Sequence, residues 1–307
     1  MPDSTRKTRV NKSLLSDRFE KPIEWLIKIC GWSSLAALTA ILIFILKGAG
    51  PMISKINWVE FFTSTKWVPS PGTGNEPHYG ILAMLVGTLS TTALALLISV
   101  PLGLAAAVYI SEFATGKVKE FLKVLLELLA AIPSIVWGFI GLMVLAPLIQ
   151  NWFGVQQGRN LLNGGIVLGL MSVPLIVSLS EDALRAVPDA YREAALALGA
   201  SKWEIVFRVL FPAARNGLLA AVMLGLGRAI GETMAALLAT GHANQIPSAI
   251  TDPVRTITAT IAAEMGEAPK NSDHYHVLFI LGLVLFVITG VVNVVADLVI
   301  KGTKKHV

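Results

Sequence analysis

The sequence predicts an all-α, polytopic membrane protein with six transmembrane helices. Three observations carry that prediction. Apolar residues make up 54% of the 307 residues and charged ones only 15%, a balance that a soluble core of this length does not need. Mean hydropathy is +0.67. Six apolar runs, at about 25–46, 80–110, 121–149, 161–182, 213–240 and 277–300, each hold the roughly 20 residues that cross a bilayer as a helix.

Taken in order, residues 1–24 read as a polar, basic N-terminal tail. The first apolar run is longer than the roughly 7–15 residues of a signal-peptide core, so an uncleaved first span is expected. Its lone Cys30 has no partner for an internal disulfide. Residues 25–79 form the first span and an outside loop. Within that loop Asn57 to Phe62 is an amphipathic piece with interfacial aromatics, followed by a turn-rich stretch at Pro69, Pro71, Gly72 and Gly74. The other five spans occupy 80–300, and 301–307 is a short tail.

In span two, Thr88, Ser90, Thr91 and Thr92 can bond within their own helix, while Pro101 there and Pro133 in span three read as bends. Glu127, a few residues inside span three, is expected to snorkel to the membrane edge or pair with Lys123. Beyond span five, Asp252-Pro253 reads as a cap with a first-turn proline. A short external helix is expected from Thr256 to Met265, stopped by Gly266. The five histidines, His78, His242, His274, His276 and His306, fall in loops or the tail; their spacing and the lack of Cys or clustered carboxylates predict no metal site.

Basic residues set the orientation. With a cytoplasmic N-terminus, the inside segments carry seventeen Lys and Arg and the outside ones six: Lys47, Lys55, Lys66, Arg159, Arg255 and Lys270. The inside set runs from Arg6, Lys7, Arg9 and Lys12 through Arg185 to Arg215 and on to Lys304 and Lys305. The positive-inside rule then puts both termini in the cytoplasm. The net charge of +5 is a topology signal and gives little support for nucleic-acid binding.

Between spans four and five, residues 189–212 form a water-compatible helical pair. Tyr191, Ala194, Ala195 and Leu198 repeat at i, i+3, i+4 and i+7, with Arg192 and Glu193 turned away. Gly199 ends the first helix. Ser201 with Glu204 makes a capping box for the second, whose apolar positions are Trp203, Val206, Phe207 and Leu210 and which Pro212 closes. Two readings fit this periodicity: amphipathic helices lying at the membrane surface, or a docking element for a partner. The chain has no Gly-x-x-x-x-Gly-Lys-Ser/Thr loop, so it is not expected to bind or hydrolyse ATP by that route.

The strongest chemical anomaly is Arg228 with Glu232 in Leu226-Gly-Arg-Ala-Ile-Gly-Glu-Thr233. Four residues apart, they are expected to share a helix face near the middle of span five. A charged residue there costs about 2.5–3.5 kcal/mol. Either a buried ion pair fixes helix packing, or the guanidinium meets an anion and the pair opens and closes a path. With Thr233 they are the candidate substrate-pathway residues.

The spacing Glu193-Ala194-Ala195, three residues, Gly199, nine residues, Val209, one residue, Phe211-Pro212 resembles the EAA loop of ATP-binding-cassette (ABC) importer permeases, with Val209 and Phe211 for the usual Ile and Leu. The resemblance implies a type I importer permease fold, in which this loop is the cytoplasmic coupling helix that seats in a separate ATPase. Gly227 to Thr233, Glu127 to Ser134 and Thr256 to Glu267 are similar to the C-type permease subunits of phosphate-specific importers, from about Tyr79 to Asp297. That implies inorganic phosphate uptake across the bacterial cytoplasmic membrane. Implied partners are an A-type permease, an ABC ATPase dimer that holds ATP and Mg, and an external phosphate-binding protein, in a lipid bilayer. Three other activities fit the residues: a permease for another oxyanion, a secondary transporter and a non-transporting sensor subunit.

Overall fold

The computed structural model describes residues 14–70 and 76–303. Arg6, Lys7, Arg9, Lys12, Pro71, Gly72, Gly74, Lys304, Lys305 and His306 lie outside the described residues. The fold is all-α with one two-stranded ribbon. Among the described residues, six helices are long and apolar enough to cross a membrane, at Pro22–Ile53, Leu82–Phe113, Ser134–Phe153, Leu161–Arg185, Lys202–Ile230 and Asp273–Leu298.

Helix α1 (Leu14–Ile53) is longer than its apolar run, because backbone hydrogen bonding continues after the side chains stop being apolar. Up to Gly48 it forms a unit of its own, and the rest of the chain forms a second. In the second unit, Asn57 caps α2 (Trp58–Thr63) through its Oδ1, which accepts from Val59 N and Glu60 N. An antiparallel ribbon follows, β1 (Trp67–Val68) on β2 (His78–Tyr79), with Trp67 opposite Tyr79.

Helix α3 (Leu82–Val108) keeps Pro101 inside it and ends in a π turn, Tyr109–Phe113. Thr88, Thr91 and Thr92 donate to the carbonyls of Met84, Gly87 and Thr88 at 2.7, 2.7 and 2.8 Å. These hydroxyls donate within the helix at little cost to its apolar surroundings, and the Thr88 oxygen also accepts from Ile257 N at 3.0 Å.

The third apolar run is not one helix. Helix α4 (Gly116–Ala131) stops before Pro133, and α5 (Ser134–Ile140), a π turn and α6 (Ala146–Phe153) make the span. The proline forces Ile132 out of the helical region, with ψ 122°. Glu127 thus belongs to a helix before the span and is exposed. Its expected partner Lys123 reaches instead across to Glu181 of α7 (Leu161–Arg185), at 3.1 Å. Glu181 also pairs with Arg185 at 3.0 Å.

Helices α3 and α7 pack closely along their lengths, helped by Gly103 against Ile176 and Gly165 against Leu94, where a side chain would collide. Asn163 Nδ2 donates to Gly141 O at 2.9 Å, tying α7 to the third span. The 189–212 segment folds as α8 (Asp189–Ala197) and α9 (Lys202–Ile205), and α9 runs through a π turn at Val206–Leu210 into α10 (Phe211–Ile230). Pro212 therefore does not close a helix, contrary to expectation. The π turn ahead of it, with Phe211 N bonded to Val206 O, absorbs the missing N–H and the ring clash.

The fifth span ends at Ile230, not near residue 240. After a break at Gly231–Thr233 come α11 (Met234–Ala239), α12 (Ile257–Glu264) and α13 (Asp273–Thr303). Helix α12 starts at Thr256, whose hydroxyl accepts from Ala259 N at 3.2 Å. Asp252 is not its cap; it instead closes a turn by accepting from Ser248 N and Ala249 N at 2.8 and 2.9 Å, and these bonds hold its carboxyl below the usual carboxylate range. His274 and His276 lie in the first turns of α13, not in a loop.

Candidate functional site

Two regions hold the candidate residues, and the 29-residue helical span Lys202–Ile230 connects them. At its first end, Gly199 has φ +79° and closes α8 in the left-handed conformation that glycine adopts without strain. Ser201 N donates to Glu204 Oε2 at 2.9 Å and Glu204 N to Ser201 Oγ at 3.4 Å, the reciprocal pair of a capping box.

The buried face of this element differs from the expected one. Ala195 is buried, but Tyr191, Ala194 and Leu198 point outward, with Leu198 89% exposed. Arg192, expected to face water, turns in. It donates to Leu184 O at 2.9 Å, Val187 O at 2.8 Å, Asp189 Oδ1 at 3.1 Å and the Glu112 carboxylate at 3.0 and 3.3 Å. The Glu112 bond holds the guanidinium above even its high ordinary pKa. A fork of donors that satisfies carbonyls at a helix C-terminus outweighs amphipathic spacing here. In α9 and its π turn Ile205, Val206 and Leu210 are buried while Trp203 and Phe207 are exposed. Glu193 and Ala194 stand exposed on α8. The segment thus offers an apolar and acidic outer surface on a capped, rigid joint.

At the other end, Arg228 lies in the last turn of α10, exposed, with no described residue bonded to it. Glu232 lies beyond the helix end, so the two do not share a helix face and form no ion pair. The Gly231 backbone opens the helix, and Glu232 Oε1 accepts from Ala235 N in the first turn of α11 at 3.1 Å, one residue ahead of the N-cap Thr233. The Glu232 carbonyl, freed by the break, accepts from Thr258 Oγ1 at 2.6 Å. Thr233 Oγ1 donates to Gly231 O at 3.2 Å.

This break is followed by a helix packed against two of the spans. Helix α11 packs with Leu238 and Ala235 on Gly138 of the third span and Thr240, just past its end, on Gly164 of the fourth. Irregular backbone among membrane spans persists only where protein or a water-filled path satisfies it. Helix α10 presents its C-terminal carbonyls to Arg228, which favours the guanidinium without a paired carboxylate. The arrangement supplies an unpaired planar set of donors, able to grip an oxyanion from one side.

A third cluster had no sequence signal, since its members are up to 207 positions apart, from Trp67 to His274. Glu264 accepts from Trp67 Nε1 at 3.0 Å, pairs with His274 Nε2 at 2.9 Å and bonds Arg255 Nη2. Arg255 Nε donates to His242 Nε2 at 3.0 Å. Burial and the neighbouring Arg255 push the His242 pKa down to about 4, so the imidazole is neutral and accepts. Burial also lowers the Arg255 pKa. Glu264→Ala leaves Arg255 buried without its partner and lowers stability by about 3–5 kcal/mol. In detergent the variant melts well below the parent, whereas Lys55→Ala, which breaks the exposed pair with Asp273, costs less than about 1 kcal/mol.

Comparison with known proteins agrees with this architecture. The chain is 36% identical over 296 residues to the probable ABC transporter permease protein YqgH of Bacillus subtilis, covering 94% of this chain and 95% of that one. It is 36% identical over 282 residues to the phosphate transport system permease protein PstC of Haemophilus influenzae, covering 86% and 87%. The fold is similar to a chain of a bacterial alginate ABC transporter crystallised with an alginate pentasaccharide-bound periplasmic protein, at a TM-score of 0.65 and 15% identity over 93% of this chain and 97% of that one. Residues 99–305, which include both ends of the connecting span, match the model of the binding-protein-dependent transport system inner membrane component. The chain belongs to that family: it is a multi-pass inner-membrane permease of the type I ABC importer fold.

Proposed function

We propose that this chain is the C-type permease subunit of an ATP-driven importer of inorganic phosphate, and that Arg228 touches the phosphate on its way. The observation that carries the reading is the exposed Arg228 guanidinium, bonded to no described residue, at the break between α10 and α11. The similarity to the phosphate permease PstC over 86% of the chain supports the choice of oxyanion. Phosphate oxygens match the guanidinium fork, and in a poorly hydrated path such contacts are stronger than in water. Glu232, just beyond the helix end, braces the break through its bond from Ala235 N and sets a negative charge that limits how tightly an anion is held.

The exposed face of α8, with Glu193, Ala194 and Leu198 beside the Gly199 joint, docks on an ABC ATPase dimer, which binds ATP and Mg. An A-type permease completes the path and an extracytoplasmic binding protein delivers phosphate. The excess of Lys and Arg on the 189–212 side supports cytoplasmic termini. ATP-driven closure of the ATPase displaces α8 and α9, and the continuous α9–α10 helix carries the movement to the break. In liposomes containing the four-component complex, phosphate with its binding protein stimulates ATP hydrolysis and accumulates inside. Stimulation by sulfate and not by phosphate assigns the path to another oxyanion.

A further inference from the structure

Arg192 is part of α8, yet four of its five hydrogen bonds leave that helix. They go to Leu184 O in the last turn of α7, to Val187 O just beyond it, and twice to the Glu112 carboxylate. Glu112 lies in the π turn that ends the second span, and Ser111 Oγ fixes its Oε1 from the other side at 2.8 Å. The two side chains are only 18% and 14% exposed. One guanidinium thus joins the 189–212 loop to the ends of two spans that pack along their lengths.

The surroundings of α8 give this joint a mechanical meaning. On the Tyr191 side, an open cleft of about 610 Å3, bordered by Ala183, Pro188, Pro212 and Arg215, separates α8 from the start of α10. Ala195 alone among the α8 residues is buried, in a core shared with Leu184, Val187 and Ile110. Apolar contact through one alanine resists compression but slides under shear. A planar fork bonded to a carboxylate and two carbonyls resists shear and twist as well, because each bond is directional.

We propose that Arg192 is the positioning residue through which displacement of α8 is passed to the second and fourth spans, with Glu112 as the receiving group. The inference rests on the reading of residues 189–212 as the ATPase-docking element. It gives the loop a second output, separate from the α9–α10 helix that leads to Arg228. Both outputs must act together for the break and the spans around it to move in step.

The test uses the complete reconstituted complex and reads phosphate moved per ATP hydrolysed, together with co-purification of the ATPase. Arg192→Gln and Glu112→Gln each lower that ratio about tenfold or more, the scale of losing charge-assisted hydrogen bonds, while the ATPase stays bound and active. The double variant is no worse than the worse single one, because both changes remove the same joint. Arg192→Lys recovers little, since a point charge cannot bridge three acceptors. An unchanged ratio in assembled single variants overturns the inference, as do losses that multiply in the double variant. Should Arg192→Gln fail to assemble, Glu112→Gln decides by the same ratio, because it leaves the bonds to Leu184 O and Val187 O in place. A wild-type complex that takes up phosphate without its ATPase removes the docking reading itself, a result visible before any variant is made.

Discussion

Arg228→Gln abolishes phosphate uptake while the complex still assembles. Arg228 is exposed at the end of α10 and holds no described partner, so its replacement leaves no buried group unsatisfied and the fold is kept. What disappears is the set of donors offered to the anion. Charge-assisted hydrogen bonds contribute about 1.5–3 kcal/mol each, so losing a bidentate contact slows passage about 100-fold or more. Arg228→Lys keeps the charge without the fork and falls between. Glu232→Gln retains an oxygen to accept from Ala235 N, so it isolates the effect of charge from that of this hydrogen bond. Uptake into liposomes, normalised to co-purified complex, reads all three. Normal uptake with Arg228→Gln removes this residue from the path and returns the choice to an oxyanion gripped elsewhere.

Why Arg228 was visible in the sequence and its setting was not is a matter of period against backbone. A charge inside an apolar run stands out by composition alone, and so do the six runs themselves. Helix ends inside an apolar stretch leave a much weaker mark. Gly231 is the only hint of the break between α10 and α11, and glycine is common in membrane helices. Pro133 marked the break before α5 yet read as a bend. Pro212 carried a misleading signal for the opposite reason, because a π turn lets the helix run through it.

Local chemistry with short sequence separation was legible. The Ser201–Glu204 box, the left-handed Gly199 and the start of α12 at Thr256 each follow from residues within a few positions. Contacts between distant segments were not. Arg192 breaks the amphipathic pattern of α8 because its partner Glu112 is 80 residues away. The Glu264 cluster joins the first loop, the segment after α11 and the start of α13, and its Trp67–Glu264 bond spans 197 positions. Polar side chains follow their hydrogen-bond partners, and those partners are fixed by tertiary packing, for Arg192 by that of α3 against α7.

Gly199→Asp separates ATP hydrolysis from uptake. At φ +79° a side chain costs about 1–2 kcal/mol, with Asp among the residues that tolerate the conformation best. No atom lies within 4 Å of the position a Cβ takes there, so the chain folds and the change is confined to the surface. The added carboxylate faces the C-terminal end of α8, where the helix dipole disfavours negative charge, and it sits between Leu198 and Ser201 on the outer surface of the joint. Seating of α8 is disturbed, and the disturbance enters at the start of a helix of 29 residues. At 1.5 Å per residue that helix reaches about 44 Å, and Arg228 is in its last turn. A small misplacement at the joint therefore becomes a displaced Arg228 guanidinium. The ratio of phosphate transported to ATP consumed falls steeply in Gly199→Asp and only slightly in Gly199→Ala, which adds strain without charge. Full coupling in the aspartate variant rules out the loop as the element that transmits ATP-driven motion.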